Sequence, residues 1–313
     1  MPASVWIRCL QLIPYLERLG IRSVVNDADA PADVAVFVRR QDEPTLRLAE
    51  RLRARGARIA FDLCVNYYDE TGLVAGSYGV TRRHVDECLA MTAVADVILA
   101  ASRFITERAR AHHARVEYLP DSVDRAHFSC TKTYDRPRRW WRRASPPTAI
   151  WCGAAAKAAE LEPWLGLFAK RRMPLVVISE RRPRLSVSFR YVRWRHATVP
   201  RELLRGDVCV APREVDSAYN RGHSFFKIGM FMAEGVPAVA SPVPSYHELV
   251  VGDRNGMLCD TPAEWEETLD RIVADPAVLG RWSPAAQEAM APYSTEAVAA
   301  QYARLLTSLA GGR

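Results

Sequence analysis

The chain has 313 residues, 49% of them hydrophobic, and its 43 Lys plus Arg against 36 Asp plus Glu leave a net charge of +7. That length exceeds one ordinary core, so two domains of about 150 residues are expected, and no run of about 18 apolar residues exists to span a membrane as a helix. The opening "MPASVWIRCLQLIPYLERLG" lacks the basic leader and cleavage site of a signal peptide, which points to a cytoplasmic protein, and seven cysteines without a CxxC pair argue for buried thiols rather than a zinc site.

From the N-terminus, a helix-like stretch over 3–20 precedes an apolar strand over 32–38. A helix over 43–56 follows, with Pro44 in its first turn and Gly56 as its stop. Strand 57–63, helix 80–95, strand 96–102, helix 103–114 and strand 115–121 come next. Continuous apolar strands between amphipathic helices imply a parallel sheet covered on both faces. The alternation stops at "TKTYDRPRRWWRRASPPT", 131–148, where arginines flank Trp140 and Trp141. An interdomain linker explains this segment, and a nucleic-acid or membrane-surface patch is the sharper alternative.

The alternation resumes with strand 149–153, a helix over 158–172 and strands 174–179 and 189–194. A short helix near 200–206, strand 207–212, a helix over 225–233 and a buried strand over 236–241 follow. The expected architecture is α/β, with two doubly wound, Rossmann-like domains facing across a cleft. Their bounds are 1–130 and 149–293, with a linker over 131–148 and a last amphipathic helix within 294–313. In such sheets ligands bind beyond the carboxyl ends of the strands.

Only four lysines occur, and Lys227 stands in "NRGHSFFKIGMFMAEGVPAVAS". With Ser224 as N-cap, Lys227 falls in the first helical turn, where a cation opposes the helix dipole. An anion at that helix start would remove the conflict. The plainer alternative is a lysine laid over apolar surface with its head in water. Asp62, Asn66 and Tyr67 lie near the carboxyl edge of a strand, where they could hydrogen-bond a polyhydroxylated ligand or simply build a turn. The polar loop 211–224 follows a buried strand, as functional loops often do. "DAD" at 27–29 fits a polar turn.

The segments "WCGAAAKAAEL", "LLRGDVCVAPRE", "GHSFFKIGMFMAEGVPAVASPVPSYHELVVGDRNGMLCD" and "EWEETLDRIVADP" carry a resemblance to the donor domain of GT-B glycosyltransferases of the family 4-like group. "ARIAFDLCVNYYD", "ADVILAASRFITERA" and "VEYLPDSVDRAHF" resemble their acceptor domain. The resemblance implies a GT-B fold and transfer of a sugar from a nucleotide-diphosphate donor to a hydroxyl or amine acceptor. It implies retention of configuration, no metal, no cofactor, and a closing helix that crosses back to the first domain. It puts the donor diphosphate at Ser224 and Lys227, with Gly153, Lys157 and Glu248 beside it. Two departures stand out. The family's paired glutamates, which hold the sugar and the ribose, are here Gly222 and Met230; Glu214 or His223 could replace the first. Asp62, with His84 behind it, is the expected acceptor-side base, and Asn66 and Tyr67 are the expected acceptor contacts.

The acceptor, whether a small molecule, a glycan or a lipid-linked compound, is not identified by the residues. Contact with a membrane surface is compatible with the positive charge, and nucleic acid is the least favoured partner. Two alternatives keep the fold: a donor bearing pyrophosphate without a nucleotide, and a non-catalytic partner subunit.

Overall fold

The computed structural model describes residues 3–71, 79–134 and 145–311. The Arg-Trp run around Trp140 and Trp141 lies outside the described residues.

The N-terminal segment is a turn α1 (Ala3–Val5), a π-helical turn Trp6–Leu10 and α2 (Ile13–Arg18). Then β1 (Val34–Val38), α3 (Glu43–Ala54), β2 (Arg58–Leu63), α4 (Arg82–Val94), β3 (Val97–Ala100), α5 (Arg103–Arg110) and β4 (Val116–Tyr118) alternate. All four strands are parallel, in the order β1-β2-β3-β4. β3 is buried at every position, as its unbroken VILA run requires of a strand covered on both faces. Gly56, at φ 96°, ends α3 in the left-handed conformation that glycine adopts without a Cβ clash.

The second sheet begins with β5 (Ala149–Cys152). The next stretch differs from the expected helix: Ala155–Trp164 is 3₁₀-helical, and α6 covers only Leu165–Lys170. Pro163 lacks the N–H that an α-helix would use there. β6 (Leu175–Ser179), β7 (Arg190–Arg193), α7 (Val199–Leu203), β8 (Val208–Ala211), α8 (Ala218–Arg221), α9 (Phe226–Ala233), β9 (Ala238–Ala240) and β10 (Gly256–Leu258) follow. Their order is β10-β9-β8-β5-β6-β7, and every pairing is parallel. The chain winds outward from β5 to β7, then restarts at β8 on the other side. That reversal leaves a crevice between the carboxyl ends of β5 and β8.

Helices α10 (Pro262–Ala274), α11 (Ala277–Ala289) and α12 (Thr295–Gly311) complete the chain. α10 starts at a capping box, Thr261 with Glu264. α12 returns to the first sheet: Val298, Tyr302, Leu306 and Leu309 pack with Leu12, Leu16, Ala60, Val97 and Leu99. The outgoing and returning crossings touch, because Val123 and Ser294 form a parallel bridge.

Candidate functional site

The crevice between β5 and β8 is built by the residues that leave those strands. Gly153 follows β5. A Cβ there would stand 2.8 Å from the Trp151 ring and 3.5 Å from Lys227 Nζ, so a side chain at 153 would crowd both. The 3₁₀ segment then carries Lys157 and Glu160 past the strand end, and the Glu180 carboxylate accepts the Ala155 N–H at its start. On the other side Arg213 follows β8 and is 7% exposed. Its N–H donates to Ser241 Oγ at 2.9 Å, and its Nη1 donates to Glu160 Oε1 and Asn220 Oδ1, each at 3.2 Å.

Lys227 reaches this crevice from α9. Its ammonium lies 4.6 Å above the Trp151 ring and 3.7 Å from Glu160 Oε2. It is buried and donates no hydrogen bond among the described residues. Lys157 Nζ meets His223 Nε2 at 2.9 Å and lies 4.8 Å above the Tyr219 ring. Three basic side chains, Lys157, Arg213 and Lys227, therefore gather around the Glu160 carboxylate. The electrostatics follow from that imbalance. Burial, then Arg213 and Lys227, pull Lys157 down to about 6. Burial, then Arg213, pull Lys227 down to about 8. Burial raises the Glu160 carboxyl, but Arg213, Lys227 and Lys157 outweigh it and hold that carboxyl below its usual range. A buried excess of positive charge with an ammonium making no hydrogen bond suits an anion.

The structure brings together Gly153, Lys157, His223 and Lys227. It moves the rest of the expected set elsewhere. α9 starts at Phe226 with Phe225 at the cap position; the Ser224 hydroxyl accepts the Phe226 N–H at 3.4 Å and donates to Asp121. Glu214 is exposed, and its carbonyl, not its carboxylate, holds Asn220. Glu248 accepts from Tyr118 at the end of β4 and lies 3.7 Å from Arg103, so it clasps the two sheets together.

Asp62 is 0% exposed and takes Arg8 Nε and Nη2 at 2.9 Å each. Enclosed by that bidentate pair, it cannot meet an acceptor proton. His84 sits in the first turn of α4, where its Nδ1 accepts the Thr81 N–H in a capping box. Asn66 is 0% exposed, with its amide engaged by Asp69 and the Tyr68 N–H. The Tyr67 hydroxyl accepts from Arg39 at 2.7 Å. Asp62, Asn66 and Tyr67 are buried with their polar atoms engaged within the chain, and half-buried His84 caps α4 through Nδ1.

Gly222 faces the first sheet's loop, where an added Cβ would stand 2.6 Å from Asn66 Cβ. Met230 is 6% exposed and packs into the core. Arg213 and Glu160 were not singled out by the sequence. The only signal for Arg213 is an arginine directly after a buried strand and Pro212; nothing local marks Glu160.

Among the described residues no helix is long and apolar enough to cross a membrane, and no group of three or more His, Cys, Asp or Glu could hold a metal ion.

No protein-family model and no curated protein matches the sequence. Solved structures do match its shape. Sucrose-phosphate synthase from Thermosynechococcus elongatus aligns with a TM-score of 0.70 at 17% identity, over 95% of this chain and 78% of that one. Anabaena HepE in complex with UDP aligns with a TM-score of 0.63 at 15% identity, over 95% of this chain and 83% of that one. The pneumococcal O-GlcNAc transferase GtfA in complex with UDP and GlcNAc gives a TM-score of 0.63 at 11% identity, over 96% of this chain and 60% of that one. With its two parallel sheets and the reversal in the second, the chain takes the GT-B glycosyltransferase fold.

Proposed function

We propose that the chain is a glycosyltransferase moving a sugar from a nucleotide-diphosphate donor to a hydroxyl or amine acceptor. The observation that carries this reading is the cluster of Lys157, Arg213 and Lys227 around one carboxylate, at the strand reversal of a GT-B fold. As the glycosidic bond to the donor breaks, negative charge grows on the leaving diphosphate. Fixed cations in a buried crevice stabilise that charge without reorganising. On this reading the three cations do the work a metal would do, and the sugar is transferred with retention. Complexes of similar folds with UDP support a nucleotide donor. The acceptor-side base is not Asp62, because its carboxylate is committed to the ion pair with Arg8.

A second reading keeps the reaction and drops the nucleoside. Met230 holds the position that the resemblance assigns to the ribose-holding glutamate, and its thioether does not replace a carboxylate as acceptor for the ribose hydroxyls. A sugar pyrophosphate would need no such acceptor.

Calorimetry with UDP, other nucleoside diphosphates and inorganic pyrophosphate separates the two. Preference for a nucleoside diphosphate, lost in Lys227→Ala, supports the first reading. Equal affinity for pyrophosphate supports the second. No binding of any diphosphate refutes both.

A further inference from the structure

The segment 217–224, which contains α8, carries a group that reaches the cationic crevice. His223 Nδ1 stands 2.8 Å from the Tyr219 carbonyl oxygen. A carbonyl only accepts, so Nδ1 bears the proton and Nε2 presents a lone pair. That lone pair faces Lys157 Nζ at 2.9 Å. The Glu160 carboxylate is shared by Arg213 at 3.2 Å and Lys227 at 3.7 Å. Lys157 is therefore met on one side by a neutral imidazole. Burial, then Lys157 and Arg213, hold that imidazole well below the usual histidine range, so it stays neutral beside the cations.

The segment itself is fastened to the first sheet. Ser102 Oγ donates to the Gly222 carbonyl at 3.1 Å, and Gly222 lies against Asn66. Tyr219 is buried in the first sheet's core, and Ser224 donates to Asp121. His223 is thus held on both sides in the chain and aimed inward.

We infer that His223 is a resident placeholder for the donor's phosphate: its Nε2 holds Lys157 until the donor binds, and a phosphate oxygen must take that nitrogen's place. This rests on the diphosphate reading above. A phosphate oxygen is an ionised acceptor that favours the protonated form of Lys157, and it makes the stronger bond to the resulting ammonium, so the exchange runs toward ligand. Breaking the His223–Lys157 hydrogen bond subtracts from the affinity, which makes the histidine a brake on donor binding.

The test is calorimetric titration of inorganic pyrophosphate into the parent protein, His223→Ala and His223→Gln. Alanine removes the placeholder, and affinity rises about tenfold, equal to about 1.4 kcal/mol. Glutamine keeps an acceptor oxygen for Lys157, and affinity stays near that of the parent. Imidazole NMR supplies a readout that does not depend on the alanine variant: the His223 signal of the parent, identified by its loss in His223→Gln, moves on saturation with pyrophosphate. Unchanged or weaker binding by His223→Ala, or a His223 signal that does not move, overturns the placeholder while leaving the diphosphate site intact. Failure of the parent to bind pyrophosphate and UDP overturns both.

Discussion

At the scale of single residues, charge and burial decide what each group can do. Lys227 looks misplaced in a first helical turn, and the cluster explains it: its ammonium leans on Trp151 and Glu160 rather than on solvent. Replacing it with alanine removes one charged contact to an anion, worth roughly 1.5–3 kcal/mol, so diphosphate affinity should fall on the order of ten- to a hundredfold in a titration of the folded variant. Asp62 makes the contrasting case. Its partner Arg8 also holds Leu119 O and Asp121, so Asp62→Ala leaves a buried guanidinium short of a counter-ion. The expected loss is about 3–5 kcal/mol of folding stability, read from denaturant unfolding. An unchanged midpoint would contradict that role.

Glu234 adds a pH effect. Burial, opposed in part by the Cys130 N–H and Arg125, raises its carboxyl to about 7. A folded-state value above the unfolded one means stability is greatest at low pH and declines as pH rises toward 7. Glu234→Gln should therefore gain Tm over the parent progressively from about pH 4.5 to 7, the span between the ordinary glutamate value and the folded one, and hold that gain above it.

At the scale of elements, the sequence showed its strands plainly. Parallel strands buried on both faces are unbroken apolar runs, as in AIWC and VCVA, and glycines at 56 and 235 mark helix ends with positive φ. The 3₁₀ course of Ala155–Trp164 was not legible, because apolar spacing in a short segment does not distinguish the two helical pitches. That miss matters for the site, since this segment sets where Lys157 and Glu160 point. The acceptor-side set failed for a related reason. Asp62, Asn66 and Tyr67 were placed at the correct strand edge, but sequence cannot show that Arg8 and Arg39 arrive from distant segments to occupy them. Gly222 supplies an element-scale prediction. An added methyl would run into Asn66, so Gly222→Ala should cost about 1–3 kcal/mol through overpacking, seen as a lower Tm.

At the scale of the whole molecule, the two sheets are joined by paired crossings at Val123 and Ser294 and by side-chain ties such as Ser224–Asp121 and Tyr118–Glu248. The last helix covers a face of the first sheet. Leu306→Ala should cost about 2–5 kcal/mol as a core truncation, measured by equilibrium unfolding, although the residue lies far in sequence from the strands it covers. The doubly wound design places the loops after β5 and β8 opposite the first sheet, and this geometry gathers the cations. The pairing of the crossings could not be read from composition or periodicity, since it depends on how two distant segments meet.

The proposed function puts an anion among Lys157, Arg213 and Lys227, and the pH dependence of UDP binding tests this most directly. Without a bound anion, Lys157 is lowered to about 6 and Lys227 to about 8. A bound diphosphate raises both, so binding must take up protons. A terminal phosphate loses its last proton near about pH 6, which leaves the interval from about pH 7.5 to 9 to the protein's own groups. Calorimetry in buffers of different ionisation enthalpy should show net proton uptake across that interval, with affinity falling as pH rises and the fall blunted in Lys227→Ala. Affinity that is flat across the interval, or binding that releases protons, would contradict the account.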